Sequence, residues 1–317
     1  MLNRKITFMS VQPDVPYFHW QVEVMIHNFM KVGINPNWIE VIWAYDSEPS
    51  EAVKALAQRY SNVRFFFYKK RITDNYGYIP ILRPDSLEQH FEVYPELSKE
   101  PIFYHDSDII FKELPDFEKF LDDDCWYLSD TISYIGAQYI KSKAEALFQE
   151  MCKIAKIDPK LVEDNELNSG GAQYLMKGVD STYWQYVKDT ALTLYIYMAD
   201  REHAERQILT QEELKTYNPV QKWCADMWAV LWGALRAGKE VKIDDELGFS
   251  WGTSNLFEYD RHKIMHNAGV TNNDKGRLFY KGEYITKSPF DSDLSGVDPN
   301  TASAKYVEAI QYARDRR

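Results

Sequence analysis

Short, nearly continuous apolar runs alternate with stretches of helical spacing through the first third of the chain. Residues 6–11 form such a run and stop at Pro13 and Pro16, as a strand leaving a sheet does. Phe18, Val22, Met25, Ile26 and Phe29 then recur at helical intervals up to Gly33, with Asn35-Pro36 beyond, which predicts a helix closed by a glycine. Residues 38–45 predict a second strand, residues 46–50 the cap of a short helix carrying Val53, Leu56 and Tyr60, and residues 63–68 a third strand. The order is β-α-β-α-β. Strands apolar on both faces and separated by helices predict a parallel sheet covered on both sides, an α/β fold.

The pattern changes at residues 101–111, where one apolar run leads into Asp106-Ser107-Asp108 and another leads out. Read as a strand, an i, i+2 spacing puts both carboxylates on one side, about 7 Å apart, so both face one object. Two like charges at the end of an apolar strand are costly unless a cation compensates them. A hard divalent ion, Mg²⁺ or Mn²⁺, meets that need, since it takes oxygen ligands and completes its shell with substrate phosphates. The alternative is a capped, solvated turn, and the chain holds a control: Asp291-Ser292-Asp293 repeats the tripeptide between Pro289 and Ser295-Gly296, where it predicts a turn.

Several other positions stand out. Lys69-Lys70-Arg71 and Tyr76-Gly77-Tyr78 follow the third strand, at the carboxyl edge where open α/β sheets bind ligands; a solvated charge run is the alternative. Arg83 precedes Pro84-Asp85, a helix start leading to Leu87, Phe91 and Tyr94; its guanidinium suits a phosphate, or an ordinary surface position. Residues 114–121 predict a short helix, 126–128 a strand and 144–154 a helix. Asn168, Gly170 and Gly171 then open an apolar strand: the glycines let backbone approach a ligand, or form a turn, and Asn168 offers a donor and an acceptor to hydroxyls. Residues 181–200 fit a helix at Trp184, Val187 and Ala191 and a strand at 192–197. Residues 223–235 predict an apolar helix in which Asp226 is the one charge, serving either a ligand or the helix N-terminus. His266 ends a short apolar stretch, either as a core residue or as a nitrogen ligand beside the carboxylate pair. Residues 302–317 predict an amphipathic helix with a basic end.

The 317 residues, 45% apolar, support a large core. No run is long enough to span a bilayer, and Met1 to Lys5 leads straight into a strand, so the expectation is a soluble chain without a leader. Cys125, Cys152 and Cys224 are scattered and odd in number, which predicts neither disulfides nor zinc and favours a cytoplasmic setting. A net charge of −11 opposes nucleic-acid binding driven by a bulk positive field. A Rossmann dehydrogenase would need a glycine-rich turn where Ser10-Val11-Gln12-Pro13 stands.

The ordered motifs YHDSDIIF, LNSGG and MHNAG resemble those of GT-A glycosyltransferases, within them the retaining group of glycogenin and the lipopolysaccharide galactosyltransferases. The resemblance implies a Rossmann-like, mostly parallel central sheet flanked by helices. It implies one catalytic domain over residues 1–285, with a nucleotide-binding half (1–112) and an acceptor/sugar half (113–285), then a polar loop and terminal helix (286–317). It implies Asp106, Asp108 and His266 as ligands of Mn²⁺ or Mg²⁺. Asp106, Arg83, Gly170, Gly171, Gly269 and Lys281 would contact the nucleotide-sugar donor, of the UDP class, and Asp226 and Asn168 would act at the transferred sugar. Met227 and Asn272-Asn273-Asp274 depart from the family pattern, so its phosphate-binding lysine is either missing here or displaced to Lys275 or Lys281. The function implied is metal-dependent transfer of a sugar to an acceptor hydroxyl on a glycan, small molecule, protein or hydroxymethylated DNA base, with retention as one stereochemical course. The alternatives are a non-catalytic carbohydrate- or nucleotide-binding protein and a metal-dependent phosphohydrolase.

Overall fold

The computed structural model describes residues 2–72 and 76–317, so Met1 of the predicted leaderless start lies outside the described residues. The chain opens as predicted: β1 (Thr7–Pro13), α1 (Pro16–Lys31), β2 (Ile39–Tyr45), α2 (Glu51–Arg59) and β3 (Arg64–Lys69). Proline at the first turn starts α1, and the Ser50 hydroxyl accepts the Val53 N–H to cap α2. Next come α3 (Leu82–Val93), β4 (Ile102–Tyr104), β5 (Ile109–Phe111), β6 (Trp126–Asp130), β7 (Gly170–Met176), β8 (Val241–Ile243), β9 (Phe249–Trp251) and β10 (Ile264–His266). Seven strands form the central sheet in the order β3-β2-β1-β4-β7-β6-β8, and β5-β10-β9 form a small second sheet. Within the large sheet β7 runs antiparallel to both of its neighbours; the remaining pairs are parallel.

Side-chain alternation divides the core. Met9, Val11 and Ile42 face α3 and the helices Ser181–Ile208 and Ala225–Arg236, while Phe8, Val41 and Trp43 face α1 and α2. The helix Ala302–Arg314 packs on α1 through Tyr306 and Ile310, which share a cluster with Trp20 and Val24. Among the described residues no helix is long and apolar enough to cross a membrane, and the three cysteines are free and buried.

Three elements differ from the sequence reading, and a fourth that it left open is decided. Residues 101–111 are not one strand: β4 belongs to the large sheet beside β1, whereas β5 pairs antiparallel with β10, so the chain changes sheet across His105–Asp108. The helix expected at 114–121 is a single 3₁₀ turn, Phe117–Phe120, whose i, i+3 spacing puts both phenylalanines into the core. The ambiguity at 181–200 resolves as helix, capped by Asp180 and buried along Val187, Ala191, Leu194 and Met198. The repeat of that stripe is helical, and packing against the helix Ala225–Arg236 selects it over the alternation of Leu192–Tyr197. At the sheet edge β3 is only half-buried rather than covered on both faces.

Phe8 lies at the centre of an aromatic cluster, edge-on to Phe29, Phe103 and Phe117 with ring centroids 5.5–5.8 Å away. Phe8→Ala is expected to cost about 3–5 kcal/mol in urea denaturation. A loss below about 1 kcal/mol would contradict this packing role.

Candidate active site

Because β2 lies on one side of β1 and β4 on the other, the connections leaving the carboxyl ends of β1 and β4 diverge and leave a crevice. The cleft there has a volume of about 630 Å³ and is entered by Val11 and Pro13 from β1 and by Asp106 and Asp108 from the sheet change after β4. Across the change of sheet both carboxylates turn into the crevice.

Asp106, Asp108 and His266 converge, with one potential ligand atom from each inside a 4.8 Å span. His266 Nε2 lies 3.2 Å from Asp108 Oδ1 and 3.5 Å from Asp106 Oδ2. The imidazole is stacked parallel on Trp251, 6.2 Å between centroids, and its Nδ1 lies 3.2 Å from the Gln173 amide. The Lys281 ammonium pairs with Asp108. Burial alone would raise the Asp108 carboxyl, but Lys281 and His266 override it and hold Asp108 well below the usual carboxylate range. Burial would likewise lower Lys281, and Asp108 reverses that too. The buried anion thus already has one cation on it. Two carboxylates and an imidazole suit Mn²⁺ or Mg²⁺, and the ammonium shows that this corner accepts positive charge.

A second cluster adjoins the first. Arg83, in the first turn of α3, contacts Asp106 Oδ1 at 2.9 Å and Asp226 Oδ2 at 3.3 Å. Burial would lower the guanidinium, but the two carboxylates raise it well above its ordinary value. Asp226 stands in the first turn of the helix Ala225–Arg236, where Tyr78 Oη donates to its Oδ1 at 3.0 Å and accepts its backbone N–H at 2.8 Å. Burial raises the Asp226 carboxyl, partly offset by Arg83.

The structure brings Asp106, Asp108, His266, Arg83, Asp226, Gly269 and Lys281 into this one cleft. Gly269 has φ +83°, a left-handed turn that favours glycine. Asn168 and Gly170 are not among its lining residues. Asn168 sits half-buried on the 3₁₀ turn Glu166–Asn168, and Gly170 lies so close to Leu128 and Ser129 on β6 that a Cβ would clash. Gly171 lies behind the wall, against Met227 and the Tyr174 hydroxyl. Of the basic cluster, Lys70 pairs with Asp46 at 2.8 Å and Arg71 with Glu92 at 2.6 Å, while Lys69 is exposed; Lys275 is engaged with Glu283. The 291–293 tripeptide is a turn, with Asp293 accepting the Ser295 N–H at 2.9 Å.

Sequence reasoning missed Gln173, Ala172 and Tyr174, and it put Tyr78 in a ligand-edge loop without foreseeing its hydrogen bonds to Asp226. Tyr174 lines the cleft with a buried hydroxyl that has no hydrogen-bond partner among the described residues, and Ala172 lines it with φ +64°. The usable signal was Gln173, the one long polar side chain within Gly170–Met176.

No protein-family profile matches the chain, and no curated protein does. Among solved structures, the WbbM bifunctional glycosyltransferase in its apo form superposes with a TM-score of 0.50 at 11% identity, over 98% of this chain and 50% of that one. The chain has the GT-A glycosyltransferase fold. It spans half the length of that neighbour. Mouse xyloside xylosyltransferase 1 (TM-score 0.43, 10% identity, 84% of this chain and all of that one) is also similar. So is the galactosyltransferase LgtC with donor and acceptor sugar analogues (0.43, 9%, 97% and 95%). In this fold the chain sets the carboxylate pair at the change of sheet between β4 and β5, and His266 at the end of β10.

His105, just before the pair, is packed between Phe29 and Phe103, and burial pushes its imidazole down to about 4 from 6.5. The folded state therefore resists protonation that the unfolded chain accepts below pH 6.5. The neutral ring is free of penalty above that pH, and about 3 kcal/mol of stability is lost as pH falls from there through 4. His105→Phe should flatten the stability curve over this interval relative to wild type; parallel curves would contradict the assignment.

Proposed function

We propose that this chain is a metal-dependent glycosyltransferase that moves a sugar from a nucleoside-diphosphate donor, of the UDP class, to an acceptor hydroxyl. One observation carries the reading: two carboxylates and an imidazole from β4–β5 and β10 meet at the switch point of a GT-A sheet, beside a buried Asp226 held by Arg83. Asp106, Asp108 and His266 would hold Mn²⁺ or Mg²⁺. When bound, such an ion neutralises the charge that develops on the departing diphosphate.

The chain's own groups have separable tasks. Lys281 is the phosphate-facing cation: it already lies in the cleft, and a metal on Asp108 would free its ammonium for the diphosphate. Arg83 ties the metal-binding carboxylate Asp106 to Asp226, which spaces the diphosphate end of the cleft from its sugar end. Asp226, fixed by Tyr78 and Arg83, accepts hydrogen bonds from donor-sugar hydroxyls, and the Tyr174 hydroxyl supplies another contact on the same wall. The Arg83 pair occupies Asp226, so it orients the sugar rather than acting as the free base of an inverting reaction, and retention is the favoured course.

Asp108→Asn should lower metal-dependent turnover of the cognate nucleotide-sugar by about 100-fold or more while the thermal midpoint moves only a few degrees. Wild-type rates in the variant, or full activity of the wild type in EDTA, would contradict the metal role. UDP, GDP and CMP tested by thermal shift with Mn²⁺ should give a metal-dependent stabilisation with UDP; stabilisation by none of them would favour a binding protein of another kind.

A further inference from the structure

We propose that Gln173 is a positioning residue that fixes His266 in its metal-ligating tautomer, through a hydrogen-bond relay that ends on the Leu247 carbonyl. This rests on the metal reading of the site and adds to it a residue outside the ligand set.

The relay follows from counting protons. The Gln173 amide lies between His266 Nδ1, 3.2 Å away on its nitrogen side, and Ser129 Oγ, 2.6 Å away on its oxygen side. Ser129 Oγ also lies 2.6 Å from the backbone carbonyl of Leu247. A hydroxyl has one proton, and a carbonyl only accepts. With the amide oxygen toward Ser129, that proton would have to serve two acceptors at once, and one close oxygen–oxygen contact would have none. A half-turn of the amide, which exchanges positions of almost equal size, removes the conflict. Ser129 then donates to Leu247, the Gln173 NH₂ donates to Ser129, and the Gln173 carbonyl accepts from His266 Nδ1–H. Nε2 is thereby left as the nitrogen that faces Asp106 and Asp108, free to give its lone pair to an ion bound between them.

Burial makes the arrangement binding on the protein. Gln173, Ser129 and Leu247 are fully enclosed, so bulk solvent does not reach a wrongly oriented amide to satisfy it. Backbone geometry points the same way. The β6–β7 register shifts between Leu128, opposite Tyr174, and Ser129, opposite Gly171, which leaves Ala172 and Gln173 as a bulge with Ala172 at φ +64°. Bulges re-aim side chains next to functional sites, and this one aims Gln173 across the sheet boundary at β10.

Two measurements test the relay. In the metal-free, full-length chain with ¹⁵N-labelled histidine, the His266 signals, identified by their absence in His266→Gln, should show a proton on Nδ1; an unprotonated Nδ1 accepting from Gln173 would overturn the relay, with no variant needed. Mn²⁺ titration followed by electron paramagnetic resonance should show Gln173→Met binding about 10- to 100-fold more weakly than wild type. Equal Mn²⁺ affinity for wild type and Gln173→Met would overturn the proposal. Failure of the wild type itself to bind Mn²⁺ would count against the metal reading, whereas the Nδ1 proton decides the relay independently.

Discussion

Three carboxylates share one partly enclosed corner of this molecule, and the balance of charge around them governs what the site can do. Asp106, Asp108 and Asp226 are held by two full cations, Arg83 and Lys281, with His266 alongside. At the effective dielectric of a protein site, a unit pair about 4 Å apart is worth about 4 kcal/mol, so none of these groups is placed independently of the others. Arg83 bridges two of the acids from a partly exposed position in the first turn of α3, and it works as a fixed structural cation. Lys281 is different. It reaches Asp108 from the 3₁₀ turn Lys281–Tyr284, far along the chain, at the end of a long flexible stem. A divalent ion would take its place, and phosphate would take the ammonium.

Each scaffold element around the corner has a reason to be where it is. The strand order puts the crevice between β1 and β4. The break between β4 and β5 turns the aspartates into it, and pairing of β5 with β10 brings His266 to meet them. The turn of helix at Ala225 delivers Asp226, and Tyr78 from the loop before α3 fixes it. These pieces come from four regions of the chain, so the site depends on the large sheet, the small sheet and the helical layer being assembled together.

Much of this was legible in the sequence. Parallel β-α units announce themselves because buried strands are apolar on both faces, and a charged pair or lone aspartate inside such runs is conspicuous. Asp106, Asp108, Asp226 and His266 stood out for that reason. Other features were hidden for equally physical reasons. An apolar run on each side of Asp106 and Asp108 looks like one strand, and nothing local tells that its halves join different sheets. Arg83 and Asp226 are 143 residues apart, and their contact exists only in the fold. Gln173 lies inside an apolar strand whose alternation gave no sign of a bulge. Asn168 and Gly170 were conspicuous by type, yet their surroundings are the chain's own β6 edge and a turn.

The most direct test of the central claim is pulsed electron paramagnetic resonance of the protein loaded with one equivalent of Mn²⁺, before and after addition of UDP. The account predicts a single directly bound imidazole nitrogen, lost in His266→Ala, and phosphorus coupling that emerges with UDP as the diphosphate joins the ion. A Mn²⁺ signal with neither nitrogen nor phosphorus coupling would contradict it.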